Sequence, residues 1–287
     1  MDLTDPTIMK YLFIILTLTV SNLKAQTNLK FDNRFVESED KWVAFQMDKD
    51  SSFAYGFIYI DAQAGLTLNY EGNFKITSTG VYVPKKLDST NMKVRLQPNN
   101  VRVAFIPDNK FNELKISAIP EWLKYYKSDT SSIERLYRWG YMYNGWDECA
   151  KALTYLEKAE KINPKYKGLA VELSFSYNCL KLYDKAELIL EEEIKTNSSD
   201  AYVNKEYIYT TTKNNNVDKA VKQFEKSLKT LKDNQYNAEN CYNILQCYYN
   251  QKDKTNFNKW YDILQRQPNE NKMITKYADN MKSDINK

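Results

Sequence analysis

The chain is predicted to be α+β: a small antiparallel β domain followed by an all-α solenoid of repeated helix pairs. Two observations carry this prediction. Between about Lys41 and Phe105, short runs rich in valine, isoleucine and aromatic residues alternate with polar turn signals, the pattern of half-buried strands. Beyond residue 130 the pair Lys-Ala recurs as Lys151-Ala152, Lys185-Ala186 and Lys219-Ala220, at a fixed interval of 34 residues, with bulky apolar residues keeping step. A period of that size marks a supersecondary unit that buries its apolar face only by stacking on copies of itself. Seven glycines in 287 residues suit helix over most of the chain.

Residues 1–25 read as a signal peptide. Met9-Lys10 is a short basic start, Tyr11 to Val20 an apolar core of ten residues, and Ala25 a small residue at a cut site. That core is half the length a membrane-spanning helix requires. Cleavage after Ala25 is therefore expected, leaving an exported protein, periplasmic or extracellular, without a stable membrane span. Met1 to Ile8 carry two aspartates and no apolar run, an unusual lead for such a segment, so Met9 is an alternative start. No cysteine near the cut offers an attachment point for a lipid anchor.

Residues 26–127 form the expected β-rich domain. Candidate strands are Trp42 to Met47, Tyr55 to Ile60, Leu66 to Tyr70, Phe74 to Thr77, Val81 to Val83, Val94 to Leu96 and Val101 to Phe105, with turn signals such as Glu71-Gly72-Asn73 between them. The run Phe57-Ile58-Tyr59-Ile60 is apolar on both faces, so part of the sheet must be covered. Asp108 to Leu123, with Phe111, Leu114, Ile116, Ile119 and Trp122, is the expected cover. The linker from Tyr125 to Ser132 is polar enough to flex, with Trp122 and Tyr126 expected to dock it on the first helix pair.

Residues 128–268 hold the helix pairs. In the first, Gly140 is the small residue where two helices cross, Tyr143 the large one, and Ala152, Leu156 and Ala159 line the second helix until Pro164 ends it. The second pair keeps Leu173, Tyr177, Ala186 and Leu190, with Ser174 in place of the glycine and Glu193 where a small residue is expected. The third keeps Tyr207, Ala220, Phe224 and Ser227, with Thr211 in place of the tyrosine. A fourth, from Ala238 to Gln267, contains Ile244, Leu245, Tyr248, Phe257, Tyr261 and Leu264 and lies about three residues out of phase, a slip assigned to a longer connection around 233–237. Asp147, Asp184 and Asp218 stand just before second helices, where a carboxylate can accept bonds from free first-turn amides. Residues 269–287 read as a polar capping helix, which a solenoid needs to close its open apolar face.

The period and these residues resemble the tetratricopeptide repeat. With the β-rich front, the chain resembles exported tetratricopeptide proteins of the Bacteroidetes, a likeness that implies architecture and no activity. In that family the leading helices line the concave face of the solenoid and usually bind other proteins. The resemblance therefore implies a partner-binding row of Tyr141, Phe175 and Tyr209, with Tyr137 and Tyr242 beside it and Asn144 and Asn178 as a second, polar row. Rigid aromatics supply contact area at small entropic cost, and asparagine can pair with an extended backbone. Alternatively, the rings pack between neighbouring leading helices. A family variant that clamps a C-terminal carboxylate with lysines and asparagines is not matched, because Tyr137 and Tyr141 stand where its first lysine and asparagine would be.

Little in the chain points to catalysis. Histidine is absent, which removes the usual general base, the commonest metal ligand and every Ser-His or Cys-His nucleophile. The glycines of the β region, Gly56, Gly65, Gly72 and Gly80, are scattered singly rather than forming a phosphate loop. Acids such as Glu39, Asp40, Asp61 and Glu71 are explained by solvated turns. No catalytic, cofactor or metal site is expected. Of the four cysteines, Cys241 and Cys247 fall on different faces of one helix, and Cys149 and Cys179 are expected as buried free thiols, a bridge across adjacent repeats being the alternative. A net charge of +4 and one lysine row, Lys222, Lys226, Lys229 and Lys232, do not make a nucleic-acid surface. The expected function is thus a non-enzymatic adaptor that binds a protein or peptide partner. The alternative is a carbohydrate-binding or glycan-processing accessory protein using Trp42, Tyr55 and Tyr59 of the β domain as sugar-stacking rings.

Overall fold

A computed structural model describes residues 29–86, 92–128, 130–233, 235–268, 271–285 and 287. The expected signal peptide lies outside the described residues. The chain divides into two compact units, Met1–Ser128 and Asp129–Lys287.

The first unit contains strands β1 (Lys41–Ala44), β2 (Phe53–Asp61), β3 (Gly65–Ile76), β4 (Tyr82–Lys86), β5 (Met92–Arg95) and β6 (Ala104–Phe105). They pair antiparallel in the order β4-β3-β2-β1-β6, and β5 also pairs with β3. The two strands expected on either side of Glu71-Gly72-Asn73 are a single strand, β3. Tyr55 lies opposite Gly72 and Gly56 opposite Tyr70, so Glu71 has no partner residue and forms a bulge. The bulge decides which side chains face which way. Leu66 and Leu68 lie opposite Ile60 and Ile58, whereas Phe74 lies opposite Phe53 on the other face. Without the extra residue all three would share one face, because side chains alternate along a strand.

On the face of Phe53, Tyr55, Phe57 and Tyr59, a core forms with Trp42, Phe74 and Tyr82, covered by Leu114 of the short helix α1 (Phe111–Leu114) and by Leu123. The expected covering stretch supplies this, except that Ile119 is 71% exposed. Trp122 and Tyr126 pack against Tyr59, with ring centroids 5.0 and 4.7 Å away. They dock on the sheet of their own unit. Trp42, Tyr55 and Tyr59 are all buried, so the rings considered for sugar stacking are spent in the core.

The second unit holds α2 (Ile133–Gly145), α3 (Cys149–Ile162), α4 (Leu169–Cys179), α5 (Tyr183–Thr196), α6 (Ala201–Lys213), α7 (Val217–Thr230), α8 (Asn237–Asn250), α9 (Lys254–Gln265) and α10 (Lys272–Ile285). Each leading helix, α2, α4, α6 and α8, packs on its own second helix, and each but the last also packs on the next leading helix. The turn inside every pair is the same. Asp147, Lys181, Asn215 and Lys252 take left-handed φ values of 59°, 61°, 61° and 58°. The following amides, of Glu148, Leu182, Asn216 and Asp253, donate back to the carbonyls of Tyr143, Tyr177, Thr211 and Tyr248. This is the main-chain closure that ends a helix at a left-handed residue. These turn positions, 147, 181, 215 and 252, are spaced 34, 34 and 37 residues apart, so the three-residue slip falls between the third and fourth pairs.

The apolar residues read from the repeat are interior: Tyr143, Ala152, Leu156, Ala159, Leu173, Ala186, Leu190, Ala220, Phe224, Ile244 and Phe257 are all buried. Gly140 is required by close approach, since a Cβ there would lie 2.3 Å from Cγ of Leu156. Ser174, which replaces that glycine in the second pair, is accommodated because its hydroxyl donates to the carbonyl of Ala170 at 2.8 Å. The acids expected as caps do not cap. Helices α3, α5 and α7 have no side-chain cap bond, because the left-handed turn sets Asp147 too early and Asp184 and Asp218 already inside the helix. Nor are Cys149 and Cys179 free thiols: they form a disulfide joining the start of α3 to the end of α4. Stacking of α4 on α3 brings their Cα atoms to 6.2 Å, within bridging range. Cys241 and Cys247 are free and buried. On the last pair, Ile274, Met281 and Ile285 of α10 pack against the core that contains Leu245, Trp260 and Leu264.

Candidate functional site

The turn spacing aligns the leading helices residue by residue. One row is Tyr141, Phe175, Tyr209 and Gln246, and the next is Tyr137, Val171, Lys205 and Tyr242. A third is Arg138, Glu172, Glu206 and Asn243. Tyr141 is 57% exposed, and Tyr137, Phe175, Tyr209 and Tyr242 are half-buried, so the aromatic rows keep part of their surface in solvent. The second, polar row does not. Asn144 and Asn178 are 3% and 5% exposed and bond between helices. Asn144 Nδ2 donates to the carbonyl oxygen and to Oε2 of Glu172, both at 2.9 Å, while Ser176 Oγ donates to Asn144 Oδ1 at 2.6 Å. Asn178 Nδ2 donates to Thr210 Oγ1 at 2.7 Å. These two asparagines hold neighbouring leading helices in register.

The third row carries what sequence reasoning missed. Glu172 and Glu206, one repeat apart, are 6% and 4% exposed. Burial is the main cause that holds the Glu172 carboxyl up to about 7, with the Asn144 bond opposing and the neighbouring Glu206 adding to the rise. Burial likewise raises Glu206, against the pull of Lys205. Lys205 answers the second of these carboxylates. Its Nζ lies 3.1 Å from Glu206 Oε1 and 3.6 Å from Glu239 Oε1, and 5.1 and 5.6 Å from the ring centroids of Tyr202 and Tyr236. Burial alone would lower its pKa, but the two carboxylates outweigh that and raise it.

The charge of Glu172 also reaches two tyrosines, Tyr137 and Tyr202. The ring of Tyr137 lies 6.5 Å from that of Tyr141 and 5.2 Å from that of Tyr166. Its phenol is pushed up to about 12 by burial first and by the Glu172 charge second. Tyr202 feels Glu172 and Glu206 in the same sense, after burial. Gly168, at φ 85°, opens the α4 helix in a backbone conformation that side chains disfavour, and a Cβ there would lie 2.6 Å from the Tyr137 hydroxyl oxygen.

Further along the same helices, Thr212, Lys213, Asn243, Gln246, Asn250 and Gln251 line a polar cavity of about 430 Å³. Lys213 Nζ donates to Gln246 Oε1 at 2.6 Å, and burial lowers its pKa. Asn243 Nδ2 is buried without a partner. Among the described residues no group of three or more His, Cys, Asp or Glu side chains is placed to hold a metal ion, and no helix is long and apolar enough to cross a membrane. No protein-family model matches the chain, and no curated protein matches it either.

Proposed function

We propose that the second unit is a non-enzymatic adaptor module of an exported protein, binding an extended segment of a protein partner along the face of its leading helices. One observation carries the reading. Five aromatic side chains on the leading helices, Tyr137, Tyr141, Phe175, Tyr209 and Tyr242, are left half-buried or exposed, Tyr242 while also packing against the core of the last pairs. Large rings held by a rigid scaffold and only partly consumed by packing are the side chains that dominate protein interfaces. Export to the cell envelope rests on the sequence of residues 9–26, with which a disulfide is compatible.

The experiment is affinity capture from envelope and culture-supernatant fractions with residues 26–287. The captured segment is then mapped by protection from proteolysis and resynthesised as a peptide. Tyr141→Ala with Phe175→Ala is expected to weaken binding of that peptide at least tenfold while circular dichroism shows the helices intact. Unchanged binding by the folded double variant would remove the leading-helix face as the site.

A further inference from the structure

We propose that Glu172 and the tyrosines around it form a receptor for one primary ammonium group, the end of a lysine side chain in the segment bound along this face. This deepens the adaptor reading and rests on it. The neighbouring repeat pairs the carboxylate of the same row with a built-in cation. There Glu206, with Glu239, holds the ammonium of Lys205 against the faces of Tyr202 and Tyr236. One repeat earlier the position of Lys205 is taken by Val171, which packs with Ile194 and Val203 and brings no charge. The carboxylate is kept, as Glu172, whereas Gly168 stands where the next repeat has Tyr202. The rings here come from other positions: Tyr137 with its hydroxyl against Gly168, Tyr202 packed on the cluster of Val171, and Tyr141 beside Tyr137, more than half exposed.

What is missing is the cation. Glu172 is 6% exposed and, among the described residues, makes no ion pair and accepts a side-chain hydrogen bond from the neutral amide of Asn144. A buried carboxylate without a counter-charge is costly to ionise, which is why its carboxyl stays half-protonated near neutrality. An entering ammonium would supply the charge, tyrosine faces would attract it by their quadrupoles, and the lysine stem would lie along the rings. The chemistry favours an organic ammonium over a metal ion, which would need several oxygen ligands rather than one carboxylate among rings.

The test uses n-butylammonium, the lysine side chain in isolation, titrated into residues 26–287 at pH 8 while the ring resonances of Tyr137, Tyr141 and Tyr202 are followed by NMR. Saturable shifts are expected with n-butylammonium and not with n-butanol. Glu172→Gln keeps an acceptor for Asn144 and is expected to weaken the effect at least tenfold. Lowering the pH from 8 to 6 is expected to weaken it too, as Glu172, faced by Asn144, Tyr137, Tyr202 and Glu206, takes up a proton. Absence of saturation, or equal binding by the folded Glu172→Gln variant, overturns the receptor. With the captured segment in hand, acetylation of its lysine should weaken binding at least tenfold. If segment binding needs Phe175 and Tyr209 but ignores both acetylation and Glu172→Gln, the receptor fails and the adaptor reading stands. If butylammonium binding needs Glu172 in a protein whose face captures no segment, lysine as the source fails together with the adaptor reading.

Discussion

At Glu172 a single carboxyl links stability to pH. Its folded-state pKa of about 7 lies above the ordinary value of 4.5, so the folded chain holds this proton more tightly than the unfolded chain does. The stabilisation is fully present below about pH 4.5 and is lost as pH rises through about 7. A difference of that size corresponds to on the order of 3 kcal/mol between the two ends of the window. The unliganded protein should therefore lose stability from pH 5 to pH 8, measured as the urea midpoint. Glu172→Gln should flatten that profile and be the more stable protein at pH 8. Glu206 shifts in the same direction, so a smaller slope should remain in the variant. Identical profiles would mean that Glu172 is solvated. The exposed rings at this scale were legible in the sequence, because a bulky residue on a leading helix at each repeat is visible as a row. Glu172 and Glu206 were not, although they too stand 34 residues apart, because an acid on a helix usually marks the solvent side. Only the neighbouring helices show that it faces inward.

Between helices, two contacts set the stability of the first two pairs. Gly140 sits where α2 crosses α3, and an added methyl would meet Leu156, which is itself fully buried. Gly140→Ala should cost about 1–3 kcal/mol by overpacking, despite alanine's better helix propensity, and thermal unfolding should show a lowered midpoint. A raised midpoint would show that Leu156 can move aside. The Cys149–Cys179 bridge closes a stretch with a sequence separation of 30, for which loop-closure entropy predicts about 3–4 kcal/mol. Cys149→Ala with Cys179→Ala should lose most of that in equilibrium unfolding under oxidising conditions, and should match the native chain measured with reductant. The disulfide was open in the sequence because the partners belong to different repeats. Its formation depends on how α4 stacks on α3, which composition does not specify.

Across the whole chain, the second unit behaves as a stack in which each pair is stabilised mainly by its neighbours. Its last layer is α10, whose Ala278 is fully buried and whose Ile274, Met281 and Ile285 cover the core of the fourth pair. Ending the chain at residue 268 should expose that core around Trp260 and Leu264. The expected result is a lower unfolding midpoint and concentration-dependent association, seen by light scattering, with the change in hydrogen-exchange protection largest in α8 and α9. Uniform loss of protection across all pairs would show that the stack unfolds as one body. The sequence by itself determined the positions of the helix pairs, their 34-residue beat with its late slip, and the two-part organisation, because each follows from local periodicity and from turns closed by main-chain bonds. Tertiary structure alone decided that Glu71 bulges and turns Phe74 to the opposite face, that Trp42, Tyr55 and Tyr59 are interior, that Cys149 meets Cys179, and that the Glu172 side chain is buried. Each of these depends on which surface a residue meets on another element, and that is set by packing between elements rather than by the residues on either side.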